Sequence, residues 1–196
     1  MRYQLLTLAV LTLLFTACKQ TSNNTTSADT NDSTMVADVT APTADERDYI
    51  VAVGDQLPAF TLIDMEGNTI TTDDFAGKVV MLQFTASWCG VCRKEMPEIE
   101  QQIWQRHKDN DNFLLYAIDR EDDYETTTHF IEKTGITYPM LRDTTATVFD
   151  RFAVHDSGIT RNVIVDKNGT IVMLTRLYEP EEFQQMCQLI DSLLNE

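Results

Sequence analysis

Positive charge is scarce in this chain. Fifteen Lys and Arg stand against 31 Asp and Glu in 196 residues, a formal net charge of −16. A nucleic-acid binder needs a basic stripe to displace counterions, and a polybasic membrane-surface protein needs a basic cluster. Neither class fits, so no nucleic-acid partner is expected. Cysteine is scarce as well. Four residues are too few for a disulfide scaffold or for paired zinc knuckles. The hydrophobic stretch near the N-terminus, residues 5–15 (LLTLAVLTLLF), carries no charge and has eleven residues, whereas a spanning helix needs about 20. What remains is ordinary globular sequence, 43% hydrophobic and 23% charged, neither disordered nor fibrous in bulk.

The apolar run follows Arg2 and reads as the core of a signal peptide. It ends in Phe15-Thr16-Ala17-Cys18, small residues before a cysteine that resemble a bacterial lipobox. The expectation is a signal peptide over 1–17, lipidation at Cys18, and an extracytoplasmic, lipid-anchored protein of the cell envelope on the periplasmic side. Lys19 follows the cysteine where inner-membrane retention commonly uses Asp, which favours the outer membrane. Residues 18–48 follow as a tether. Eighteen of the thirty residues in 19–48 are Ser, Thr, Asn or Asp, too polar to offset the entropy of ordering.

From residue 49 the pattern changes. Residues 59–65 and 69–72 flank Glu66-Gly67-Asn68 as a hairpin. Residues 79–84 (VVMLQF) and 113–118 (FLLYAI) are strands apolar on both faces. Met96, Ile99, Ile103 and Trp104 follow helical spacing, and further helices are predicted over 124–133 (stopped by Gly135), 145–153 and 180–194, the last with Phe183, Met186, Cys187, Ile190 and Leu194 on one stripe. A second hairpin turns at Asn168-Gly169. The predicted order is ββ, βα, βα, α, ββ, α over residues 49–196: an α/β domain with a mixed sheet sandwiched by helices.

The chemistry sits at Trp88-Cys89-Gly90-Val91-Cys92. Two cysteines three apart follow a buried strand and open a helix. First-turn N–H groups lack partners there and the helix dipole is positive, so a thiolate at Cys89 is favoured. Cys92, one turn further in, is placed to attack Cys89 once Cys89 carries a mixed disulfide. Gly90 and Val91 keep the turn narrow, and Trp88 offers a flat apolar surface for a substrate chain.

The block Trp88-Cys89-Gly90-Val91-Cys92-Arg93-Lys94-Glu95-Met96-Pro97 fills every fixed position of WCxxCRxExP. It resembles the active-site block of the thioredoxin superfamily, and more narrowly the membrane-tethered TlpA/ResA-type thiol-disulfide oxidoreductases. The resemblance implies a thioredoxin-like three-layer sandwich with an added N-terminal β-hairpin. It also implies exchange with protein thiols and disulfides, more often as a reductase, no bound cofactor, and a membrane electron donor or acceptor as partner. Glu95 matches the family's Glu and is one turn from Cys92, where a partly buried carboxylate could take the Cys92 proton. Pro97 is expected to disturb the helix.

Three positions depart from the pattern. Gln83 stands where thioredoxin has a buried acid, which shifts proton handling to Glu95. Thr160 occupies the place of the family's loop proline in Gly158-Ile159-Thr160-Arg161. Arg161 follows as a cation beside the site. Trp88, Gly90, Val91, Thr160 and Arg161 are therefore the expected substrate contacts.

Among the remaining candidates, Cys187 is read as core, and residues 119–123 (DREDD) as a solvated loop. His155 is weighed as a residue approaching the cysteines. No metal site is expected: one built from Cys89, Cys92, Cys187 and His155 would lack a second Cys pair. A peroxiredoxin-like peroxidase is the competing enzyme. It needs Thr or Ser three residues before its cysteine and Pro seven before, yet Ala86 and Leu82 stand there for Cys89. A non-enzymatic adaptor or metal carrier is the third reading. A monomer is expected.

Overall fold

The computed structural model describes residues 47–196. The signal peptide expected at 1–17, the lipidation site Cys18 and the tether up to residue 46 lie outside the described residues. Arg47, the first described residue, contacts the domain: its carbonyl accepts from Arg161 Nη1 at 2.6 Å.

Seven strands form one mixed sheet. They are β1 (Thr61–Asp64), β2 (Thr69–Thr71), β3 (Val79–Thr85), β4 (Phe113–Arg120), β5 (Met140–Asp143), β6 (Arg161–Val165) and β7 (Ile171–Arg176), in spatial order β2-β1-β5-β4-β3-β6-β7. Strands β3, β4 and β5 run parallel; β1 joins β5, and β6 joins β3, antiparallel. Both hairpins form where their turns were expected. In the first, the Asp64 carboxylate accepts from the backbone N–H of Glu66 and Asn68. In the second, Asp166 does the same for Asn168 and Thr170. These aspartates replace backbone partners that a tight turn cannot supply.

Strand β5 was not expected. It is four residues long, follows Pro139, and carries too short a pattern to separate from a loop. Its role is to bridge the N-terminal hairpin to the parallel centre of the sheet.

One face of the sheet carries the α-helices. Helix α1 (Cys92–Ile99) continues as a wider π segment, Glu100–Trp104, and a last turn, α2 (Gln105–His107). Pro97 inside α1 has no N–H to give the preceding turn, and the widening begins three residues beyond it. Helix α3 (Tyr124–Thr134) is capped by the Asp123 side chain and ends at Gly135, whose φ of +70° is the left-handed cap geometry glycine favours. Helix α4 (Pro180–Asn195) buries Phe183, Met186, Cys187 and Ile190, the predicted stripe. It is joined to the α1 extension by an Arg106–Asp191 ion pair and a Gln184–Gln102 hydrogen bond.

The other face is layered differently from the expectation. The helix predicted at 145–153 is a single 3₁₀ turn, Phe149–Arg151. Asp143 accepts from the N–H groups of Val148 and Phe149, and Ala146 adopts a left-handed φ of +57°, so the chain turns sharply instead of winding on. A second 3₁₀ turn, Thr72–Phe75, lies on this side too. Aromatic rings fill the layer. Phe84 packs on Phe149 and Phe152, Phe60 on Phe75 and Phe152, and Phe75 on Tyr116.

Alternation along β3 sends Phe84 to this aromatic side, whereas Gln83 and Thr85 reach α1. That alternation places the site.

Candidate active site

Strand β3 delivers the chain to the site at its C-terminal end. The backbone then turns, with Cys89 N–H donating to the Ala86 carbonyl at 3.0 Å, before α1 begins at Cys92. Cys89 and Cys92 are joined by a disulfide, with their Cα atoms 5.4 Å apart. The backbone N–H of Cys92 points at Cys89 Sγ at 3.0 Å. An orphan helix donor is thus already aimed at the sulfur that would carry charge in the reduced form. Cys89 retains 6% exposure and Cys92 none, so only the first sulfur meets a partner. Trp88 beside it is 59% exposed. Gly90 has open space around the position of a Cβ, with only the Arg93 guanidinium at 3.8 Å.

Thr160 lies directly over the pair. Its Oγ1 is 3.2 Å from Cys89 Sγ and 3.3 Å from Cys92 Sγ, and it is almost fully buried. The loop thus covers the cysteines with a hydroxyl that can donate to, or accept from, either sulfur. At Gly158, earlier in the loop, a Cβ would fall 1.9 Å from the Arg176 guanidinium, so any side chain there would have to displace that arginine.

Arg161 does not fit the role expected of it. It is fully buried in β6. Its guanidinium donates to the carbonyls of Gly158 and Arg47 and to Ser157 Oγ, and stacks on the Tyr49 ring. Its place in β6 opposite Phe84 sends it to the aromatic face, away from the polar layer next to α1. It braces the loop rather than presenting a cation to substrate. His155 is likewise engaged elsewhere, paired with Asp150 at 2.8 Å.

Glu95 is 1% exposed and sits in a buried polar network. Its carboxylate accepts from Asn162 Nδ2 at 2.7 Å and from Gln83 Nε2 at 3.3 Å. Gln83 in turn accepts from the Tyr138 hydroxyl at 2.8 Å, and Asn162 also donates to Thr175 Oγ1 at 2.9 Å. Burial pushes the Glu95 carboxyl up to about 7, the amides of Asn162 and Gln83 pull against that rise, and nearby Glu182 adds to it. A carboxyl poised near neutrality can both take and return a proton. Gln83 is not a proton carrier in place of an acid; it is a donor that holds Glu95.

Asn162, Tyr138 and Thr175 were missed at the sequence level. Asn162 had a readable signal, a polar residue directly before the apolar 163–165 run, and it pairs with Gln83 in the antiparallel β3–β6 register. Tyr138 carried none. The acidic run 119–123 was also misjudged. Asp119 and Arg120 are buried ends of β4, Asp122 binds Ser87, and Asp123 caps α3. Cys187 is buried core as expected, and burial pushes its thiol up to about 11. Among the described residues, no three His, Cys, Asp or Glu side chains gather as a metal site.

Comparison with known proteins agrees with this geometry. A family model described as Redoxin matches residues 52–190. A solution structure of a candidate protein disulfide isomerase from Bacteroides thetaiotaomicron is 52% identical, with a TM-score of 0.74, covering 76% of this chain and 93% of that one. The thioredoxin domain of a thiol-disulfide oxidoreductase from Bacteroides vulgatus is 25% identical, with a TM-score of 0.61, covering 71% and 99%. The thiol-disulfide oxidoreductase ResA of Geobacillus thermodenitrificans is 29% identical over 143 residues, 71% of this chain and 79% of that protein. A buried strand ending in a CxxC disulfide, a loop hydroxyl over both sulfurs and these matches lead to one conclusion: the chain belongs to the redoxin family, as a thioredoxin-fold thiol-disulfide oxidoreductase of the TlpA/ResA type.

Proposed function

We propose that the protein is a lipid-anchored reductase of protein disulfides in the cell envelope, held at Cys18 and facing the periplasm. The observation that carries the reading is the asymmetry of the pair: Cys89 touches solvent, Cys92 does not, and a buried carboxylate lies one turn beyond Cys92.

The step balances as a two-electron exchange. Cys89 thiolate attacks one sulfur of a substrate disulfide, forming a mixed disulfide and releasing the other substrate sulfur as thiolate. Cys92 gives its proton to Glu95 and attacks Cys89 Sγ. The Cys89–Cys92 disulfide forms and the second substrate thiolate leaves. A membrane-bound dithiol partner then restores the reduced pair. Trp88, Gly90 and Val91 line the exposed approach, and Thr160 steadies the sulfurs. Arg161 contributes through the loop it braces. No cofactor is needed, because both electrons reside on sulfur. Strong acidity with no basic patch leaves the lipid, not the surface, as the membrane contact, and the protein acts as a monomer.

The test is disulfide reduction of insulin with dithiothreitol as donor. Cys89→Ser should fall to the uncatalysed rate, and Cys92→Ser should accumulate a substrate mixed disulfide. Retained turnover in Cys89→Ser would overturn the reading. A reduction potential below about −200 mV supports reduction as the direction, and one near about −120 mV reverses it.

A further inference from the structure

The segment that leads into the disulfide is held from the side by an acid. Ser87, two residues before Cys89, donates its backbone N–H to Asp122 Oδ2 at 2.7 Å and its hydroxyl to Asp122 Oδ1 at 3.0 Å. Asp119, 1% exposed, stands at the end of β4 opposite Thr85 of β3, and its side chain interacts with that of Asp122. Thr127 of α3 donates to Asp119 Oδ2 at 2.6 Å. Asp119 Oδ1 is buried without a hydrogen-bond partner. An unpaired buried polar atom is costly, and two interacting carboxylates resist being charged together. One proton resolves both problems. Carried on Asp119, it is donated to Asp122, whose two oxygens keep their bonds to Ser87.

We propose that Asp119 and Asp122 are a proton-sharing pair of positioning residues that holds Ser87, and through it Trp88 and Cys89, in place for exchange. The proposal rests on the thiol-disulfide reading above. The surroundings fit it. Burial pushes the Asp119 carboxyl up to about 8; the Thr127 hydrogen bond opposes this and the Asp122 charge adds to it. From β5 the one charged group facing it is Arg142, which also opposes the rise. Thr127 of α3 and Thr85 of β3 are uncharged. Arg120 lies over Phe149 on the other face, paired with Glu121. When the proton leaves in mildly alkaline solution, two anions face each other beside Ser87 and the clamp loosens. The reactivity of Cys89 thus acquires a second pH dependence that its own thiol does not produce.

The experiment is the alkylation rate of Cys89 by iodoacetamide against pH, in the reduced full chain. Wild type should show two inflections, one from the thiol and a weaker alkaline one. Asp119→Asn donates to Asp122 without titrating, so it should keep the first and lose the second. Asp122→Asn removes the carboxylate bound to Ser87, two residues from Cys89, so the first inflection should move down by roughly 0.5–1 pH unit. A purely structural role would leave both inflections in place. An alkaline inflection that survives Asp119→Asn, or an unchanged profile in Asp122→Asn, overturns the proposal. Should Asp119→Asn fail to fold, carboxyl ¹³C titration of wild type decides: Asp119 protonated at neutral pH supports the pair, and an ionised Asp119 overturns it. Absence of insulin reduction in wild type would instead strike the functional reading and leave these profiles interpretable.

Discussion

Gln83 and Phe84 are neighbours in β3 and face opposite sides of the sheet. On the Gln83 side lie Glu95, Asn162, Tyr138 and Thr175, a polar layer packed beneath the disulfide helix. On the Phe84 side lie Phe149, Phe152 and the rest of an aromatic layer with no part in the exchange. Both layers are buried, so burial alone does not separate chemistry from stability. The partner of each buried group does. On one side the groups hydrogen-bond to a carboxylate that can titrate; on the other they meet ring edges.

The comparison breaks most clearly if the aromatic side proves redox-active. Phe84→Ala should cost about 3–5 kcal/mol in urea unfolding, while shifting the reduction potential by less than about 15 mV. A larger shift would show that the two layers are coupled.

Glu95→Gln tests the polar side. The folded carboxyl sits at about 7 against an ordinary 4.5. A raised value means that the stability from this group is fully present below about 4.5 and is lost as pH rises through about 7. Wild type should therefore weaken relative to Glu95→Gln between about pH 4 and pH 8, by roughly 3 kcal/mol at most. Chemical denaturation at the two pH values measures it. Exchange by the variant should slow about 10²-fold, with a flattened pH profile. Equal stability slopes would mean that folding does not shift the Glu95 carboxyl from its ordinary range.

Much of this division was legible beforehand. The nearly continuous apolar run at 79–84 marked β3 as a strand covered on both faces, the CxxC spacing located the reacting sulfurs, and the WCxxCRxExP match singled out Glu95. Three things were not legible, each for a physical reason. The cover of the second face depends on Ala146 turning left-handed, which no periodicity reveals. The partners of Glu95 come from β6 and from Tyr138, brought in by strand register rather than by spacing. Arg161, Asp119 and Arg120 look like surface residues in composition, because only the fold shows that they are buried.

Thr160→Val sharpens the comparison at the edge of the site. The hydroxyl that reaches both sulfurs is lost while the shape is nearly kept. The Cys89 thiol should titrate about 0.5 pH unit higher, the worth of one weak donor to the thiolate. Absorbance of the thiolate against pH measures the shift, and an unchanged value would reduce Thr160 to a space-filling role. The smallest effect is expected at Cys187. Cys187→Ala should cost about 1 kcal/mol and leave both potential and turnover as they were; an altered potential would bring a third sulfur into the chemistry.

Trp88 remains, its indole open to water and one peptide bond from a sulfur that alternates between bonded and free. A disulfide is an electron acceptor for an excited ring, and a thiol is a poor one. The molecule therefore carries its own fluorophore, dim in one oxidation state and bright in the other, so that a single cuvette and no added dye can follow each turnover as it happens.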